Sequence, residues 1–133
     1  IRVERTMPRQ LESFYGPILA CAGFGVWALF SLMPVIAGGG VREGWDMAPY
    51  WIVGVPLLLT LHGLAGALTE DGAWRLPLWA IGGHIAGMML IHPTGAGLGL
   101  LPMALFLIGI PMYVILLLAT LTGRILARFV GST

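Results

Sequence analysis

The charged residues of this chain leave three long uncharged stretches, residues 13–41, 47–69 and 76–123. About 20 apolar residues in an α-helix span the hydrocarbon core of a membrane, so the first two stretches predict one membrane-spanning helix each. The third stretch predicts two such helices, because a proline and two glycines interrupt it at residues 92–97. The pattern predicts an all-α integral membrane protein, an up-down bundle of four transmembrane helices.

The predicted transmembrane domain covers residues 17–128, with Pro17 in the first turn of the first helix. Its first apolar run is longer than the core of a signal peptide, which has about 7–15 residues, so we interpret it as a retained helix. The four predicted helices cover residues 17–37, 48–68, 76–91 and 98–127. Residues 1–16 alternate arginines with apolar residues, which predicts a segment in the cytoplasm or in the membrane interface. Residues 129–133 form a C-terminal tail.

The arginines indicate how the predicted helices are oriented. Six of the seven basic residues precede the first helix, join the second to the third, or follow the fourth, and these positions share one side of the membrane. Only Arg42 lies on the other side. Because basic residues are enriched in cytoplasmic loops, both termini are predicted to be cytoplasmic. In a bacterium this predicts a multi-pass protein of the inner membrane, with Trp45, Tyr50 and Trp51 at the outer interface and Trp74 at the inner one.

The predicted connections are short, so consecutive helices are expected to be antiparallel neighbours. The second and third helices, which join through residues 69–75, are therefore expected to contact each other. No connection is long enough to fold as a soluble domain. Any site then lies inside the bundle or is shared with another chain. The sequence shows no evident internal repeat.

His62 and His84 are ionisable residues inside the second and third predicted helices. At 1.5 Å per residue, both lie roughly 12–14 Å from the cytoplasmic face, near the middle of a core of about 30 Å. Ionisable residues at this depth are costly and therefore indicate function. On adjacent antiparallel helices, two imidazoles at one depth are able to share a metal or a macrocycle.

Small residues around the two histidines fit a bulky planar cofactor. Glycines lie one helical turn away from each histidine, which leaves room for the edge of a porphyrin. Haem iron accepts neutral histidine nitrogens as axial ligands, and one histidine holds the magnesium of a (bacterio)chlorophyll. The hypothesis is a haem b or a (bacterio)chlorophyll between the second and third helices. Its predicted site consists of the metal ligands His62 and His84 and the lining residues Gly66, Gly83, Gly87 and Tyr113.

Two other interpretations are open for these residues. Gly83 and Gly87 form a small-xxx-small pattern, which brings membrane helices into contact without any ligand. In that case the histidines form interhelical hydrogen bonds with each other, with Thr60 or with Tyr113, which lies at a comparable depth. Alternatively, the two histidines and Tyr113 line a polar path for protons or ions.

The composition limits the classes of function. Only 10% of the residues are charged and 58% are hydrophobic, against about 25% charged residues in a soluble domain. A net charge of +1 gives no support for nucleic-acid binding, and the single cysteine, Cys21, excludes an intramolecular disulfide. No pair of nucleophile and base and no metal-ligand spacing indicates catalysis, so a chain without enzymatic activity of its own is expected.

These observations predict a small membrane subunit of a larger bacterial complex, surrounded by lipid and in contact with other membrane subunits or with copies of itself. The most specific version of this prediction is a subunit that binds haem or (bacterio)chlorophyll for electron or energy transfer. The alternatives are a cofactor-free accessory subunit of a photosynthetic, respiratory or transport complex, and a small channel or transporter.

Overall fold

The computed structural model describes residues 9–69, 71–91 and 96–132, which form helices and short connections, with no strand among them. This part of the chain contains α1 (Arg9–Ile36), α2 (Val55–Leu68), α3 (Leu76–Ile91), α4 (Ala96–Ala104) and α5 (Ile110–Gly131). A π-helical segment, Tyr50–Gly54, leads into α2, and a second, Leu105–Gly109, joins α4 to α5. Single 3-10 turns occur at Gly44–Asp46 and Ala73–Arg75.

The helices form four segments, which fits the number predicted from the hydrophobic pattern. Three segments are long and apolar enough to cross a membrane: Phe14–Ile36, Tyr50–Leu68 and Leu101–Gly131. The remaining segment is α3, which has 16 residues and rises about 24 Å along its axis. The predicted all-α class is therefore confirmed.

The first helix differs most from its predicted bounds. It begins at Arg9, so Pro17 lies inside the helix and not in its first turn. The predicted position of Pro17 is wrong because the preceding residues Arg9, Gln10 and Leu11 favour helix and extend it toward the N-terminus. Residues 1–8 of the predicted N-terminal segment and residues 92–95 of the predicted break lie outside the described residues.

The closest helix pairs are not consecutive in the chain. Helix α3 packs along α1, and α5 packs along α2, whereas α2 and α3 meet over a small area. Gly16 lies beside Trp79 and Gly87 lies beside Trp27, so α1 and α3 run in the same direction. The prediction that consecutive helices are the main neighbours is therefore wrong. A short connection keeps two helices within reach, but the closest contact forms where glycines let two backbones approach.

A reciprocal glycine contact holds α1 against α3. Gly23 of α1 faces the backbone carbonyl of Ala80, and Gly83 of α3 faces the backbone carbonyl of Ala20. A Cβ on either glycine would collide with the backbone opposite it. The contact follows from one spacing that occurs in both helices, because Pro17, Ala20 and Gly23 are spaced like Pro77, Ala80 and Gly83.

The same kind of contact holds α2 against α5. Gly66 of α2 faces the backbone carbonyl of Thr120, and Gly123 of α5 faces the backbone carbonyl of Gly63. As in the first pair, each helix presents a glycine to a carbonyl of the other. Backbones that approach this closely gain dispersion contacts along the whole crossing, which is how small residues stabilise membrane helix pairs.

The segments that lead into α2 and α5 also resemble each other. Residues 51–56 read WIVGVP and residues 106–111 read FLIGIP, and each follows or overlaps a π-helical segment. A proline inside a helix clashes with the carbonyl four residues before it. Those residues are Ile52 and Leu107, and both lie in the π-helical segments, where the wider turn accommodates the proline ring.

Together these matches define an internal repeat of a helical hairpin. One copy contains α1 and α2, and the other contains α3 to α5, with equivalent helices packed side by side. The interpretation that the sequence contains no repeat is therefore wrong. Few positions match between the two copies. The number of residues that separate the proline–alanine–glycine motif from the glycine–proline motif also differs between the copies, so the repeat becomes evident only from the paired contacts.

Candidate functional site

His84 of α3 forms a hydrogen bond with Tyr50 at the beginning of the second helical segment. The Nδ1 of His84 lies 2.9 Å from the carbonyl oxygen of Ala80, and a carbonyl only accepts, so Nδ1 carries the proton of the neutral ring. The Nε2 of His84 then accepts, and the Tyr50 hydroxyl at 3.0 Å donates. The backbone carbonyl of Ala80 in α3 therefore fixes the tautomer of His84, in which Nε2 is free to accept from Tyr50.

Aromatic rings from α1 and from the connection that follows it surround this hydrogen bond. The Trp27 ring centroid lies 6.1 Å from that of His84 and 6.3 Å from that of Tyr50. Trp45 packs edge-on against Trp27 at 4.6 Å, and Phe30 packs against Tyr50 at 6.2 Å. We call Trp27, Phe30, Trp45, Tyr50 and His84 the aromatic cluster. Its members Trp27 and Tyr50 are 0% and 1% exposed, whereas His84 and the hydrogen bond itself are partly buried.

His62 of α2 is the other histidine of the predicted site, and it is fully buried. Its Nδ1 donates to the carbonyl oxygen of Leu58 at 2.7 Å, so Nε2 of the neutral ring is an acceptor. This Nε2 is buried and has no hydrogen-bond partner among the described residues. The ring also approaches the backbone of Leu76, at the first turn of α3.

The two histidines do not contact each other directly. No hydrogen bond and no ring contact joins them among the interactions of the described residues. The Nε2 of His84 is occupied by Tyr50, so ligation of one metal by both rings requires His84 to exchange that hydroxyl for the metal. A macrocycle held by both histidines stays a prediction.

The predicted lining glycines contact neighbouring helices. Gly66 faces the Thr120 backbone, Gly83 faces the Ala20 backbone, and the side chain of Trp27 packs against Gly87. The space that the sequence suggested for a porphyrin edge is therefore filled by the chain itself. Between the two interpretations of these glycines, the contacts favour helix packing.

Tyr113 does not join the histidines. Its hydroxyl donates to the backbone carbonyl of Trp74 at 3.1 Å, and the Thr60 hydroxyl donates to the Pro56 carbonyl of its own helix at 2.9 Å. Neither bonds to His62 or His84. Tyr50 takes that role, although it is not among the predicted site residues. Only a general rule could have indicated Tyr50 from the sequence, namely that a buried tyrosine hydroxyl needs a hydrogen-bond partner.

Tyr50 and His84 line a cavity of about 40 Å³ between α3 and residues 101–112. Met88 and Met112 form part of its apolar wall. A cavity of this size has room for water but not for a porphyrin. The described residues contain no group of three or more His, Cys, Asp or Glu side chains that is arranged to hold a metal ion.

Replacing Tyr50 by phenylalanine should leave the Nε2 of His84 without its donor. We expect the free energy of unfolding to fall by about 1 kcal/mol, the usual contribution of an interhelical hydrogen bond in membrane proteins. Unfolding in mixed micelles, followed by tryptophan fluorescence, measures this change. Tyr15→Phe is the control, because the Tyr15 hydroxyl forms no hydrogen bond with a described residue. Equal stability of the two variants would contradict the role of the Tyr50–His84 bond.

No protein-family model, no curated protein and no solved structure matches this chain.

Proposed function

We propose that this chain is a small integral-membrane subunit of a larger assembly in the inner membrane of a bacterium. Its four helical segments cross the bilayer, with both termini on the cytoplasmic side. The apolar length of three segments supports insertion. The arginines support the orientation, because Arg75 precedes α3 and Arg124 and Arg128 lie near the end of α5, whereas Arg42 lies in the connection after α1.

One observation carries the proposal: the interior of the bundle is filled by the chain's own residues. Glycines at both helix pairs contact carbonyls of the partner helix, and Trp27, Leu58 and Leu116 are completely buried between the pairs. The connections among the described residues are short, so no folded domain extends from the helices there. What is available to another molecule is the outer surface of the helices, and a subunit of an assembly functions through that surface.

The outer face of α5 is the best-suited contact surface. It belongs to the least buried of the three long spans, because 17% of an apolar 18-residue window of this span is buried, against 33% in the other two spans. Five of its exposed apolar residues are spaced three or four positions apart and so form one stripe along the helix. They are Ile110, Val114, Leu118, Leu121 and Ile125, with exposed fractions between 38% and 57%. A membrane helix of another subunit fits this stripe.

Purification of the tagged chain from its native membrane in mild detergent tests the proposal. We expect a partner in fixed stoichiometry, either another membrane protein or further copies of the chain. Leu118→Trp should remove the partner, whereas Leu64→Trp, on an equally exposed position of α2, should retain it. A wild-type chain that elutes as a monomer without a stoichiometric partner would overturn the proposal.

A haem b or (bacterio)chlorophyll is a second candidate, and His62 supplies the observation that favours it. Its Nε2 lone pair is buried without a partner among the described residues. Leaving such an acceptor unsatisfied costs about 1–3 kcal/mol, which a metal or a donor from outside the chain would recover. A Soret band in the purified protein would support haem, and near-infrared bands would support a chlorin. His62→Ala should then bleach the protein, and a colourless wild type excludes this candidate.

A further inference from the structure

A groove runs along the outer face of α1 and α3, away from the aromatic cluster. Its volume is about 660 Å³, which lies in the range of small-molecule sites. Ala20, Cys21 and Phe24 of α1 form one side, and the other side comes from α3 and the turn before it. We call this feature the α1–α3 groove.

The groove has an apolar part and a charged end. Glycine and alanine residues, among them Gly82 and Ala86, leave the apolar part open, and the large side chain of Trp79 borders it. Arg75 lies at the other end, with its guanidinium 5.1 Å from the centre of the Trp74 ring. The residues that line the groove include no carboxylate, and Arg75 forms no ion pair with any described residue. Within the described part of the chain, no carboxylate therefore neutralises the positive charge of Arg75.

The length of the groove matches one leaflet of a bilayer. Arg75 and Ala86 are separated by about 16 Å along the helix axis, at 1.5 Å per residue. Half of a hydrocarbon core of about 30 Å measures about 15 Å. In the proposed orientation, Arg75 lies at the cytoplasmic headgroup level and the apolar part extends to the middle of the membrane. An amphiphile with an anionic head and an extended chain has this distribution of charge and apolar surface.

We propose that the α1–α3 groove binds one anionic phospholipid of the cytoplasmic leaflet. Its phosphate pairs with Arg75, and one acyl chain lies along Gly82 and Ala86. This inference rests on the proposed membrane insertion but not on the proposed partner subunit. The choice of a lipid rests on the arginine at the level of the membrane surface, because such an arginine attracts anionic lipid headgroups.

Native mass spectrometry of the delipidated full chain tests the site with phosphatidylglycerol and phosphatidylcholine of identical acyl chains. We expect one phosphatidylglycerol per chain, bound with about fivefold lower Kd than phosphatidylcholine, as one basic residue near the surface supplies. Arg75→Gln should abolish this preference. Arg128→Gln, which removes an exposed arginine outside the groove, should retain it.

A second pair of variants tests the apolar part. A Cβ added at Gly82 or at Gly25 meets no atom within 4 Å, so a side chain at either position leaves the backbone without a clash. Gly82→Leu fills the groove and should weaken the binding of both lipids, whereas Gly25→Leu lies outside it and should leave binding unchanged.

Three outcomes would overturn the lipid site: equal affinity of the wild type for the two lipids, equal behaviour of Arg75→Gln and Arg128→Gln, or unchanged lipid binding in a folded Gly82→Leu variant. Because the measurement uses the isolated chain, its result is separate from whether a partner subunit copurifies. If Gly82→Leu does not fold, the arginine pair decides the question.

Discussion

Replacing Gly83 by alanine is expected to separate α1 from α3 and to destabilise the chain by about 3 kcal/mol, at the upper end of the usual cost of overpacking. The added Cβ would collide with the backbone of Ala20 and Phe24, which cannot move aside as a flexible side chain would. The free energy of unfolding in mixed micelles measures the effect.

The adjacent residue provides a matched control for Gly83→Ala. Gly82 lies on the same helix, but a Cβ there meets nothing within 4 Å. Gly82→Ala should therefore be neutral or stabilising by about 0.5–1 kcal/mol, because alanine favours helix over glycine. If the internal repeat describes the fold correctly, Gly66→Ala should cost about as much as Gly83→Ala. Similar stability of the Gly82 and Gly83 variants would refute the close contact of α1 and α3.

Replacing Trp27 by alanine is the second large effect, with an expected loss of about 3–5 kcal/mol. Trp27 is 0% exposed and packs against Trp45, Tyr50 and His84. Its removal leaves a large cavity at the centre of the aromatic cluster and admits water to the Tyr50–His84 hydrogen bond. Thermal and detergent unfolding of the purified chain measure the loss.

Trp74→Ala is the control for Trp27→Ala, because Trp74 is 53% exposed. The control removes the same number of atoms but leaves no cavity in the core, and we expect it to cost well under half as much. A Trp27 variant as stable as the Trp74 variant would show that the aromatic cluster contributes little to the fold.

The helices themselves were accessible from the sequence, because hydropathy over a window of about 20 residues is a local property. The predicted helix over residues 76–91 and the observed α3 share their bounds. The N-terminal end of α1 was less accessible, since a proline at position 17 is compatible both with a first turn and with the interior of a membrane helix.

The environment of the histidines was accessible only in part. Their positions inside apolar helices identified His62 and His84 as buried polar groups that need partners. The partner of His84 was missed because its identity depends on how the beginning of the second helical segment is positioned relative to α3. The sequence placed Tyr50 at the outer interface, whereas its hydroxyl lies beside a histidine near the middle of α3.

What the sequence by itself determined is the class of the protein: an all-α chain of four apolar helical segments. Hydropathy is sufficient for this because each segment is apolar independently of how the others pack. Only the tertiary structure decided that α1 pairs with α3 and α2 with α5, and that the glycines of the predicted cofactor site contact neighbouring helices. A glycine permits close approach by any helix. Which helix packs against it depends on contacts between residues that are far apart in the chain.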